Sequence, residues 1–127
     1  MNKPKVYIAG ALNSDAVYYI QNMHKMACYA EEIRKMGYSV YVPFLDILMG
    51  FKFGNYEYYD YFENSQPWLA SSDIMFVVPG YENSYGAKKE IEFAKSLETV
   101  MIVFSLEEMR EMYAVFKAKE REKEEKS

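Results

Sequence analysis

The chain has 127 residues, half of them apolar, and a formal charge of −4 at neutral pH. That length fits one domain with a real core, and the acidic balance excludes the Lys/Arg footprint on which duplex nucleic-acid binding depends. Cys28 is the only cysteine and His24 the only histidine, which excludes an internal disulfide and a Cys/His zinc cluster.

The opening MNKPKVYIAGAL has too short an apolar run for a signal peptide, and no stretch reaches the roughly eighteen consecutive apolar residues of a membrane span. A single soluble, cytoplasmic domain over residues 1–127 with no membrane partner is expected. Lys5–Gly10 (KVYIAG) reads as the first buried parallel strand. A helix follows, capped by Ser14, with Ile20, Met23, Ala27, Ala30 and Ile33 as its apolar stripe and Gly37 at its C-terminal cap. His24 and Cys28 are expected to pack within that helix's buried face. Ser39–Phe44 (SVYVPF) is the second strand. After Pro43 comes FLDILMGFKFGN, then an aromatic stretch from Tyr56 to Trp68 that is expected to be helical to about Pro67, its tyrosines serving as wall or interface residues. Asp73–Val78 (DIMFVV) and Thr99–Phe104 (TVMIVF) are the third and fourth strands, with a helix over Tyr85–Leu97 between them. From Leu106 onward a last helix ends in KAKEREKEEKS, a solvated, charged tail over about 117–127 whose opposite charges recur at i, i+4.

Strands alternating with helices predict a Rossmann-like, doubly wound α/β fold of about four to five parallel strands with helices on both faces. In the order 2-1-3-4 the winding reverses between strands one and three, and ligands of open α/β sheets bind beyond the strand ends at that switch. Two loops are nominated: Gly10–Ser14, and Pro79–Gly86 within PGYENSYGAKKEIEFA. Ser84 stands where an N-cap belongs, and Gly86 lets a ligand approach the N–H groups that point out of the helix start. At roughly 100° per residue, Ile91, Phe93, Ala94 and Leu97 share one arc with Ala87, while Lys88, Lys89, Glu92 and Lys95 lie opposite. Glu90 falls inside the apolar arc. A carboxylate there is paired, hydrogen-bonded or facing a cavity, because burying it bare costs several kcal/mol or raises its pKa. It is therefore either a buried partner for a hydroxyl or backbone group, or a reactive group in the cleft. Asp73, just before a strand, reads as a turn cap. Tyr7 lies near the end of strand one, and Gly10 gives room for a ligand beside the backbone.

KVYIAGAL, PWLASSDIMFVVPG and ENSYGAKKEIEFA, in this order and spacing over roughly residues 5–104, resemble the nucleoside 2-deoxyribosyltransferase superfamily. The branch with a PGW-x-x-S-x-GA-x-x-E signature is the most similar, Tyr81 standing in place of its Trp. The resemblance implies N-glycosidic chemistry on a nucleoside or its 5′-monophosphate, without a cofactor or metal. It implies that Glu90 is the nucleophile, with Glu92 where the family has glycine in E-x-G-x-A, and that Tyr7 positions it. By the same resemblance Ser84 meets a 5′-phosphate, and Gly10, Asn13, Asn64, Ser65 and Gly86 contact substrate. Two positions depart from the pattern. Ser65 occupies the place of a catalytic Asp, for which Asp60, Glu63 and Asn64 are the nearby substitutes, and the first loop reads Gly10–Ala11–Leu12–Asn13 without the family's arginine. A non-catalytic nucleotide-binding module of the same fold is the alternative. The family further implies a homodimer or higher homo-oligomer in which a neighbour completes the pocket.

Overall fold

The computed structural model describes residues 3–11, 16–43 and 58–126. Along the chain come β1 (Lys5–Ala9), α1 (Ala16–Met36), β2 (Ser39–Tyr41), α2 (Tyr58–Ala70), β3 (Ile74–Val77), a single 3-10 turn (Tyr81–Asn83), α3 (Tyr85–Leu97), β4 (Met101–Val103) and α4 (Leu106–Lys126). The four strands form one parallel sheet in the order β2-β1-β3-β4. This is the doubly wound α/β fold expected from the sequence, with its reversal between β1 and β3.

Alternation along the strands divides the core in two. Val6, Ile8, Ile74, Phe76 and Val103 point to one side, where Met26, Ala30 and Ile33 of α1 and Met109 of α4 cover them. Tyr7, Ala9, Met75 and Val77 point to the other, against Leu69 of α2 and Ile91 and Ala94 of α3. Both faces are covered, so the central strands β1 and β3 are apolar throughout apart from Lys5 at the open end. Each fully buried aliphatic side chain contributes roughly 1.5–3 kcal/mol. Asp73 serves the backbone, as its position suggested: its Oδ2 accepts the Lys5 N–H at 2.8 Å, and its own N–H donates to the Lys5 carbonyl at 2.9 Å.

The strands are shorter than the apolar runs. Pro43 has no N–H to continue the β2 ladder, and Glu98, in a left-handed conformation at φ 60°, ends α3 so that residues 98–100 turn before β4 begins. Gly37 closes α1 at φ 119°, and a Cβ there would lie 2.1 Å from the Tyr113 hydroxyl of α4. Only glycine fits.

The apolar stripe of α1 differs from the expected one. Ile20 is 66% exposed and Ala27 is exposed, whereas Met26 is buried. Met26 lies against Gly10 at the end of β1, so the turns before it stand beyond the strand ends, where no sheet covers them. The seam runs Met26–Ala30–Ile33 at i, i+4, i+7. His24 and Cys28, expected in the core, are exposed instead, with Sγ 3.6 Å from Nε2. Each is two residues from Met26, about 200° around the helix, and so faces away from the sheet. No helix among the described residues is long and apolar enough to cross a membrane.

Candidate functional site

At the C-terminal ends of β1 and β3, Gly10, where the first nominated loop starts, lies beside Val78, which leads into the second; residues 12–15 lie outside the described residues. The Val78 N–H donates to the Ala9 carbonyl at 2.8 Å, carrying the β1–β3 ladder one step further. Gly10 then passes so close to both neighbours that a Cβ would lie 3.1 Å from Met26 and 3.3 Å from Val78. Gly80 adopts φ 100°, which reverses the chain into the 3-10 turn. Ser84 ends that turn with its N–H on the Tyr81 carbonyl at 2.9 Å, and starts α3 with its hydroxyl accepting the Ala87 N–H at 3.1 Å. The N-cap is the one the sequence predicts. Ser84 is only 3% exposed, and Gly86 and Ala87 behind it are buried.

Glu90 follows one turn later, half-buried, and its Oε2 is sealed from solvent. The wheel placed it in the arc of Ile91 and Ala94, both of which are buried against the sheet. Tyr7 projects from β1 into the same layer, fully buried, with its hydroxyl likewise sealed. Two polar atoms in one apolar layer are kept there only by polar contacts.

The Tyr7 ring begins an aromatic ladder that periodicity did not reveal. It stacks on Tyr41 of β2 with centroids 5.8 Å apart, and Tyr41 stacks on Trp68 of α2 at 5.3 Å and 15°. Trp68 is itself 54% exposed, so the ladder runs from the buried tyrosine to the surface. A second aromatic contact, Phe62 edge-on to Phe93 at 5.7 Å, joins α2 to α3. Between them Ser65 is buried, with its hydroxyl directed to the Phe62 carbonyl at 3.4 Å. Asp60, Glu63 and Asn64 lie on exposed positions of the same helix. Tyr7, Ser65, Ser84, Gly86 and Glu90 are thus on the α2/α3 side of the sheet, and Gly10 sits at its boundary with α1. Asn13 lies outside the described residues.

One cation stands at this end that local sequence could not reveal. The Lys25 ammonium of α1 donates to the Pro79 carbonyl at 2.6 Å, and a Cβ on Gly80 would lie 3.5 Å from it. The first N–H groups of α3 add the positive end of a helix dipole behind the capped turn. Further along α3, Lys89 pairs with Glu92 at 3.4 Å and lies over the Tyr85 ring. Among the described residues no group of three His, Cys, Asp or Glu side chains is placed to hold a metal. The arrangement offers hydrogen-bond donors and positive potential at the rim and a carboxylate in a low-polarity layer below.

No curated protein matches the chain. A model of one protein family does, over residues 4–104, a stretch that runs from the residue before β1 to the residue after β4 and includes both loops, Tyr7, Ser84 and Glu90. The chain therefore belongs to the DUF4406 family, a domain of unknown function.

Proposed function

We propose that this protein cleaves or transfers the N-glycosidic bond of a (deoxy)nucleoside 5′-monophosphate or nucleoside, as a member of the nucleoside 2-deoxyribosyltransferase superfamily. The observation that carries the reading is Glu90: a carboxylate with one oxygen sealed from solvent, on the apolar face of α3, behind an N-capped turn at the β1/β3 switch point. In this reading the Glu90 carboxylate attacks the anomeric carbon as the C–N bond breaks, and the base leaves with the bonding pair and takes up a proton. Water or a second base then attacks the sugar–enzyme ester and frees the carboxylate. Tyr7, rigid within its stack on Tyr41, holds the nucleophile. Ser84, whose oxygen serves the cap, keeps its hydroxyl proton to donate to a 5′-phosphate, and Lys25 supplies beside the same loop the positive charge that the first loop lacks.

Ser65 favours a second reading, a nucleotide-binding module without turnover. It is the buried member of the α2 set, while Asp60 and Glu63, the carboxylates that would replace the family's acid, stand on exposed positions. Incubation with a panel of deoxynucleoside 5′-monophosphates and nucleosides, followed by chromatography of released base, tests both. Base release supports the enzyme. Melting-temperature shifts without release support the binder, and the absence of both overturns the nucleotide site.

A further inference from the structure

A groove of about 710 Å³ opens at the other end of the sheet, where the strands begin, and it is independent of the site above. Its floor is Tyr38, Ile74 and Met101, and its wall is Met112, Val115 and Phe116 of α4. Met101 is 57% exposed and Val115 55%. Two large apolar side chains therefore flank an apolar groove and stay wet, which marks a contact surface more than a folded edge. Helix α4 begins at Leu106, outside the stretch that the family shares. The helix has 21 residues and is about 30 Å long; it docks by Leu106, Met109, Met112 and Tyr113, and the part beyond Tyr113 carries an exposed flank.

The charges on the rim indicate what covers the groove. Glu111 and Lys119 both line it, both are exposed, and neither joins an ion pair with another described residue. Each stands four residues from Val115, one before and one after, so the three form a single stripe along the helix with Val115 at its centre. Lys3 and Asp73 repeat both signs on the opposite rim. A ligand or partner of one charge gains on half of such a rim and loses on the other half. A copy of the same chain, turned about a two-fold axis, matches both halves.

We propose that α4 and this groove bind a second copy of the chain across a two-fold axis at Val115, with two antiparallel α4 helices in contact. Val115 and Phe116 of each copy enter the apolar groove of the other. Glu111 then faces the partner subunit's Lys119, and Lys119 the partner's Glu111. The surface lies at the far end of the sheet from Glu90, so the dimer leaves both ligand loops open.

Sedimentation velocity of the full chain, across protein and salt concentrations, reads the proposal. The wild type sediments as a dimer that added salt weakens. Val115→Asp makes it monomeric. Glu111→Lys and Lys119→Glu each bring like charges together twice per interface and raise the dissociation constant at least about tenfold. An equimolar mixture of these two variants restores a dimer, because each chain then presents the charge that the other lacks. All three positions are exposed, and circular dichroism checks that each variant is folded. A wild type monomeric at every concentration overturns the proposal, as does a dimer indifferent to the charge reversals. A monomer whose groove takes up an apolar dye, with the dye lost in Val115→Asp, makes the groove a small-molecule pocket and also overturns it.

Discussion

The Lys25 ammonium donates to the Pro79 carbonyl at 2.6 Å, bridging 54 positions of sequence to tie the overhanging half of α1 to the loop that leads into α3. The loop turns through Gly80 in the left-handed region, and this bond holds it together with Tyr81, which packs on the core and against the Phe104 ring at 5.5 Å. Lys25→Met keeps the aliphatic stem and removes the donor. It lowers stability by about 0.5–1 kcal/mol, the range for an exposed charge-assisted bond. Amide exchange at residues 80–84 speeds up. Unchanged protection in that segment would show that the loop is held by other contacts.

Two substitutions at Ser84 test its capping role apart from the proposed phosphate contact. Ser84→Ala removes the acceptor of the Ala87 N–H and costs about 1 kcal/mol in a urea titration. Ser84→Asp retains an acceptor for the cap but adds a negative charge. If a 5′-phosphate meets this position, that variant binds a deoxynucleoside monophosphate at least about tenfold more weakly and binds the nucleoside as before, by titration calorimetry. Equal losses for both ligands would remove the phosphate from Ser84.

Tyr38 links α4 to the pH dependence of stability. Its hydroxyl is buried and donates to the Met109 carbonyl at 2.8 Å. Burial, with the neighbouring Tyr113 second, pushes its pKa from 10.0 up to about 12. The unfolded chain gives up this proton near pH 10 and the folded chain holds it, so between these values the folded state binds more protons. The contribution is intact below about pH 10 and is lost as the pH rises toward about 12. Urea midpoints measured from about pH 9 to about pH 11 fall more steeply for the wild type than for Tyr38→Phe, which starts about 1 kcal/mol lower for want of the hydrogen bond. Parallel curves would assign the alkaline loss to other groups.

Local chemistry made much of this legible. The span Tyr85–Leu97, its cap at Ser84 and its apolar arc through Ile91 and Ala94 follow from spacing alone, and Gly37 ends α1 where its freedom is needed. What escaped was set by distant partners. The phase of α1 depends on Met26 meeting Gly10 at the end of β1, a contact that the helix's own periodicity does not contain, so Ile20, Ala27, His24 and Cys28 read as core and are exposed. Lys25 is an ordinary surface lysine until the loop after β3 folds back beside it. The ladder Tyr7–Tyr41–Trp68 depends on the β1–β2 register, which puts Tyr7 directly opposite Tyr41. Of the nominated positions, Asn64 stands on an exposed part of α2 and Ser65 is the one turned inward, a choice that a one-residue step in helix phase decides.

The role of Glu90 is tested most directly by the rate of base release from a deoxynucleoside 5′-monophosphate, measured for the wild type and for Glu90→Gln, which keeps the shape of the side chain and removes its charge. With Glu90 as nucleophile, release falls at least about a thousandfold in the variant, while the substrate still raises the melting temperature of both proteins. Release that continues undiminished in Glu90→Gln would contradict it.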